Sequence, residues 1–202
     1  MNDLKQKLLL SYLQSKLLVP AAKQPELMER AVQITRIQKA LKNQVLESPG
    51  PAAEGRAWLS VNAMVHSYYF NEKTQSNIGT YIWEKNEPII FNNSLFQDMP
   101  RNHTIQMIEA GPVLSMSYQD LLDLRNAFPE IAQHMEELSI QKEQSYQDRI
   151  ILLNAPTQER IIHFEAYNPL FSQVANSTIK AMHLGICRQT YDRAKKQIKN
   201  QK

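Results

Sequence analysis

The side chains best placed to do chemistry in this chain lie near its C-terminus. Arg188, Gln189, Asp192, Arg193, Lys195, Lys196 and Lys199 follow one another at spacings that suit one helix. Arg suits guanine, Gln suits adenine, Asp can accept from a cytosine amino group, and Lys meets phosphates. From Lys180 onward Asp192 is the only acid among the basic residues. That composition is an electrostatic footprint for nucleic acid, although a solvated basic tail gives the same pattern. Other chemistry is poorly supplied. A lone cysteine, Cys187, excludes an internal disulfide framework and a Cys-based zinc site. No Gly-rich phosphate loop, metal-ligand spacing or nucleophile–base pair can be recognised, so neither an enzyme nor a cofactor is expected. Glu136 and Glu137 fall on a helix face and need no catalytic role.

The stretch Ser177 to Gln197 must position these groups. It reads as two short helices joined at His183-Leu184-Gly185-Ile186. Gly185 can take the positive φ that ends the first helix, and Leu184 and Ile186 flank it as apolar plugs. Cys187 opens the second helix. This is the plan of a helix-turn-helix, whose second helix lies in a DNA major groove. Two antiparallel helices of any small α domain share the pattern.

Upstream, Asn2 to Leu18 has the Leu spacing of an amphipathic helix, and a second helix is expected from Pro25 to about Arg30. The run Ala31 to Ile37 alternates like a half-buried strand. Some eight short strands follow to Ser117, with turns at Ser48-Pro49-Gly50-Pro51 and Asn71 to Thr74, which suggests an antiparallel, jelly-roll-like barrel. Ser117 should cap a helix that Phe128-Pro129 breaks. A longer helix then runs from Pro129 to about Leu153, with Ile131, Met135, Leu138 and Leu152 as an apolar seam that suits a two-stranded dimer interface. Lys142, Ser145 and Arg149 interrupt its heptad. A helix packed on its own barrel would also account for the seam. The N-terminal apolar stretch is broken by Ser11, Gln14, Ser15 and Lys16, so it reads as a docked helix and not as a signal peptide. No apolar run is long enough to span a bilayer. With 43% hydrophobic and 21% charged residues the chain is expected to be an ordinary soluble globular protein, and its lone cysteine suits the cytoplasm.

The order helices, jelly roll, long helix, helix-turn-helix resembles that of Crp/Fnr transcription regulators. Ser94-Leu95-Phe96, Ile108-Glu109-Ala110 and Leu114 to Leu121 resemble the family's passage from its last sensor strands into the next helix. Phe128-Pro129-Glu130 resembles the start of its dimer helix. Ala181 to Ile186, with Thr190 and Arg193, resembles its helix-turn-helix core. The resemblance implies an α+β chain: an antiparallel β jelly roll of the cyclic-nucleotide-binding type with flanking helices (1–128), a connecting and dimerisation helix (129–153), and an all-α, winged-helix-like DNA-binding domain (154–202). It implies double-stranded DNA and a second copy of the chain as partners, with a small-molecule effector besides. The family's phosphate cassette carries a Gly-Glu pair and then an arginine. Here the matching region, Asn86 to Thr104, lacks the glycine pair and the Arg-Ala or Arg-Ser step. Asn92, Asn93, Ser94 and Arg101 are the expected effector pocket, with Arg101 in an exposed turn, and cyclic AMP binding in the usual way is not expected. An iron–sulfur sensor needs several cysteines. His66 and His103, the candidate haem ligands, read as ordinary, partly buried histidines. Asp192 and Lys180 depart from the family pattern, and an interaction module that has lost DNA recognition is the alternative reading.

Overall fold

The computed structural model describes residues 2–17 and 20–200. The expected helix end at Leu18 and the terminal Lys202 lie outside the described residues. Helices α1 (Asn2–Lys16) and α2 (Gln24–Ile34) precede strands β1 (Arg36–Ala40), β2 (Val45–Glu47), β3 (Arg56–Ser60), β4 (Val65–Asn71), β5 (Ser76–Trp83) and β6 (Pro88–Ile89). A short α3 (Asn92–Gln97), β7 (Thr104–Met107) and β8 (Gly111–Ser117) complete the first half. Then come α4 (Tyr118–Ala127), α5 (Pro129–Asn154), α6 (Thr157–Tyr167), α7 (Pro169–Val174), α8 (Ser177–Leu184) and α9 (Arg188–Asn200).

The strands form two four-stranded antiparallel sheets, ordered β1-β8-β3-β6 and β2-β7-β4-β5. This is the double-sheet form of a jelly roll rather than a closed barrel. Inward-facing Trp58, Val65, Trp83, Ile105, Met107 and Val113 fill the space between the sheets. The hairpin β4–β5 turns where expected, with the Asn71 side chain accepting from the Lys73 backbone N–H (3.0 Å). Ser117 caps α4 as expected, its hydroxyl accepting from the Asp120 N–H (3.1 Å).

Three expectations change. Ala31 to Ile34 continue α2, because Leu27 and Ala31 share one buried helical face and only Arg36 onward pairs with β8. Among the described residues no strand follows β8, so the helix-turn-helix has no β wing there. The seam of α5 turns inward: Ile131 and Met135 bury against Leu121, Leu124 and Phe128 of the same chain, and Leu152 packs towards α6. Leu138 is half-buried beside the same body. Their own chain competes for these side chains and wins. The apolar groups that α5 leaves in solvent are Ile140 (64% exposed), Tyr146, Ile150 and Ile151 (72%).

The C-terminal helices enclose a second core of Ile161, Phe164, Phe171, Ile179, Leu184, Tyr191 and Ile198. Met64 and Ile108 from the jelly-roll loops complete it. The helix-turn-helix is therefore packed directly on the jelly-roll half.

Candidate functional site

The turn between α8 and α9 forms as its residues dictate. Asn176 caps α8 through Ile179 N–H (3.0 Å). Gly185 takes φ 64°. Its N–H bonds to the Met182 carbonyl (3.4 Å) and that of Ile186 to the Ala181 carbonyl (3.1 Å), a Schellman closure. Tyr191, Ala194 and Ile198 anchor α9 in the core at helical spacing. The opposite face must then carry Gln189, Arg193, Lys196 and Asn200, all exposed, with Asp192 and Lys199 on one flank. Arg188 pairs with Asp192 one turn on (3.4 Å), so the departing carboxylate has a cationic partner within its own helix. Lys195 differs from expectation. It sits next to the buried face and pairs with Glu165 of α6, which also accepts from the Tyr191 hydroxyl. Its charge braces α9 and is turned away from the exposed face.

Asn92, Asn93, Ser94 and Arg101 do come together, around a cavity of about 240 Å³ between α3 and α5. Arg101 is not in an exposed turn, however. Its guanidinium meets the Glu47 carboxylate at 3.0 Å, both side chains being only 6% exposed, and donates to the carbonyls of Ser48 (3.0 Å) and Pro51 (2.9 Å). Glu47 in turn accepts from the Trp58 indole (2.9 Å). Arg101 thus ties β2 to β3 and to the loop before β7, and its charge is already compensated. Asn92 donates to the Ser139 hydroxyl (2.8 Å), linking α3 to α5. Among the described residues no three His, Cys, Asp or Glu side chains are grouped to hold a metal ion, and no helix is long and apolar enough to cross a membrane.

The junction of the two halves holds groups whose importance is not visible locally in the sequence. Gly79 of β5 lets the His183 ring of α8 approach the strand closely; a Cβ there would stand 2.6 Å from that ring. His183 (1% exposed) and His66 of β4 (0%) meet at 3.1 Å. The proton positions follow from the neighbours. Gln106 donates its amide to the Asn43 carbonyl (2.9 Å), so its oxygen accepts from His66 Nε2–H (3.1 Å). His66 Nδ1 is then bare and accepts from His183 Nε2–H, which leaves His183 Nδ1 unprotonated and without a partner. Both rings are neutral: burial pushes His66 down to about 4, and burial, His66 and Arg149 hold His183 well below the usual histidine range. Arg149 of α5 donates to the Gly79 carbonyl.

Beside this contact a cleft of about 650 Å³ opens between β5, α5 and α6. Lys142 stands on the wall that it shares with the α3 cavity. Its ammonium donates to the Ile90 carbonyl (2.7 Å) and lies over the rings of Tyr81 and Trp83, 5.9 and 5.6 Å from their centroids. Burial pushes it down to about 8. Lys142 and Arg149 interrupt the heptad of α5 in the sequence, and that interruption was the available signal.

No protein-family model matches the sequence, and no curated protein is recognisably similar to it. Solved structures do match the fold. A protein from Eubacterium rectale assigned as a transcriptional regulator of the Crp/Fnr family aligns at 12% identity and TM-score 0.75, covering 95% of this chain and 88% of that one. CLP, the c-di-GMP-responsive global regulator of Xanthomonas campestris, aligns at 12% and 0.72, covering 88% and 92%. FixK2 from Bradyrhizobium japonicum aligns at 14% and 0.67, covering 83% and 86%. Over most of its length, jelly roll and helix-turn-helix alike, this chain has the fold of the Crp/Fnr transcription regulators.

Proposed function

We propose that this chain is a DNA-binding transcription regulator and not an enzyme. Its sensor is 1–128, its connecting helix 129–153 and its DNA-reading unit 154–202. The carrying observation is the outer face of α9. Gln189, Arg193 and Lys196 stand exposed on a helix whose other face is locked in the core, at the place where a helix-turn-helix meets the major groove. Gln189 and Arg193 read bases; Lys196 and Lys199 meet phosphates, and Asp192 holds Arg188 back from them. A cytoplasmic location, where DNA is within reach, goes with this reading. Selection of bound sequences from a random DNA pool tests it. Enrichment of a two-fold symmetric site is the expected result. No enrichment, and no shifted band at low salt, would leave a protein-interaction module instead.

The working form is a homodimer joined along the outer face of α5. Ile140 and Ile151 support this, for they are exposed and eleven residues apart, three turns along one face. In sedimentation, Ile151→Glu should convert dimers at micromolar concentration to monomers, and wild-type monomers under those conditions would remove the dimer.

The α3 cavity does not hold cyclic AMP in the usual way, because the family's cassette arginine is absent, Arg101 is committed to Glu47, and Lys142 on the shared wall is turned to the Ile90 carbonyl. Calorimetric titration with cyclic AMP should give no measurable binding up to millimolar concentrations; micromolar affinity would show that another group supplies the charge.

A further inference from the structure

The cleft between β5, α5 and α6 has the dimensions and lining of a small-molecule site. Its volume of about 650 Å³ falls in the range of ligand pockets, roughly 300–1,000 Å³. Tyr81, Trp83 and Tyr146 supply aromatic walls on which a flat ring can stack. Two cations face it from α5. Lys142 and Arg149 are seven residues apart, two turns along one side of the helix. Both are drawn in from solvent, and among the described residues neither makes an ion pair. Of the two carboxylates on the rim, Asp148 accepts from the Gln144 amide, and Glu87 accepts from the Glu84 N–H and attracts Lys142 from beyond ion-pair distance. A sequestered cation is costly unless an anion compensates it. Backbone carbonyls satisfy one donor of each group, but a carbonyl cancels no charge. The chain thus keeps two positive charges, neither in an ion pair among the described residues, on the wall of an aromatic cavity.

We propose that this junction cleft binds a flat aromatic carboxylate, its ring between Tyr81, Trp83 and Tyr146 and its anionic group held by Lys142 and Arg149. The site adjoins the α3 cavity and shares Tyr81, Lys142 and Tyr146 with it, while Trp83, Arg149 and His183 line only the cleft. It rests on the regulator reading only in naming that ligand an effector; the binding itself is independent of DNA.

Calorimetric titration of the full chain with 2-naphthoate, and in parallel with uncharged 2-naphthamide, tests this. The carboxylate should bind at least about tenfold tighter than the amide. Arg149→Met and Lys142→Met should each abolish the preference. Because Lys142 also holds the Ile90 carbonyl, Lys142→Arg serves as the charge-keeping variant and should retain it. Lys39→Met, which removes an exposed cation on β1, should leave it unchanged. Equal affinity for acid and amide, no binding of either, or a preference that survives both Met substitutions would overturn the proposal. Since no DNA is present, these outcomes are independent of whether α9 reads a sequence.

Discussion

The outer face of α9 and the junction beneath α8 are both made of polar side chains, and they differ in almost every physical respect. On α9 the groups are exposed, charged and spaced by one helix, so water solvates them and salt screens them. At the junction His66, Gln106, Arg149 and His183 come from four elements and are largely shut away from solvent. One element, α5, also carries Lys142 into the adjoining cleft. The first region stands open to solvent and to any partner that would meet it. The second already has partners for most of its groups, and its orientation of protons is fixed by a chain of donors from Gln106 to His183. Changing the exposed face should therefore alter recognition and leave stability alone, whereas changing the junction should alter stability first.

The largest expected effect is one of pH on the junction. His66 titrates at about 4 in the folded chain against 6.5 when unfolded, and His183 is held down in the same direction. A base with a depressed folded pKa binds its proton more readily in the unfolded state. Its stabilising contribution is complete above the unfolded value and is lost as pH falls towards the folded one. Between about pH 6.5 and pH 5, His66 alone should remove about 2 kcal/mol, and His183 adds to that. The groups facing the pair reinforce the direction: Arg149 repels a second positive charge, while Gln106 and the Tyr68 ring are neutral. His103 and His134 are also depressed by burial, so the pair must be isolated by substitution. In urea unfolding, His183→Leu should remove the His183 share and leave that of His66, so the dependence in this window should fall without vanishing. An unchanged slope would mean that the pair is not buried and neutral in solution.

How much of each region was legible follows from the same contrast. The strands, the Ser117 cap, the Phe128-Pro129 break and the Gly185 turn were readable because each obeys a rule acting within a few residues. The exposed face of α9 was readable for the same reason, with Lys195 as the exception: its partner Glu165 lies a full helix pair upstream. Arg101 looked exposed because Pro100 and Asn102 flank it, and nothing local announces Glu47 across the jelly roll. The α5 seam was a true apolar stripe, but a stripe does not say whether its own chain or a second copy covers it. His66 and His183 were out of reach altogether, since a strand histidine and a helix histidine carry no mark of one another.

A second break of the comparison separates base reading from phosphate contact within α9. Arg193→Ala should remove about 1–3 kcal/mol of sequence discrimination while weak non-specific binding persists. Lys196→Ala should weaken all sequences alike and lower the salt slope by about one. Both variants should keep the wild-type unfolding midpoint, because both side chains are exposed and make no ion pair among the described residues. Loss of stability in either would place that side chain in the packing of α9.

Asp192→Ser is the smallest and the most discriminating change. The carboxylate lies on the flank of the exposed face, where it repels phosphates, yet it also holds Arg188 at 3.4 Å. Both side chains are largely in solvent, and an exposed pair one helical turn apart is worth only about 0.3–0.5 kcal/mol, so folding should hardly change. For DNA two terms act in the same direction. Removing the acid ends a repulsion, and Arg188 becomes free to reach a phosphate. Binding should tighten by a few fold at low salt, and the gain should shrink as salt rises, because the Debye length falls to about 8 Å at physiological ionic strength. Random and selected sequences should gain alike. If selected sequences weaken while random ones gain, the carboxylate accepts from a cytosine amino group or fixes Arg188 for a base. Asp192 then belongs among the readers of sequence, and the exposed face of α9 is as closely specified by its own side chains as the junction is.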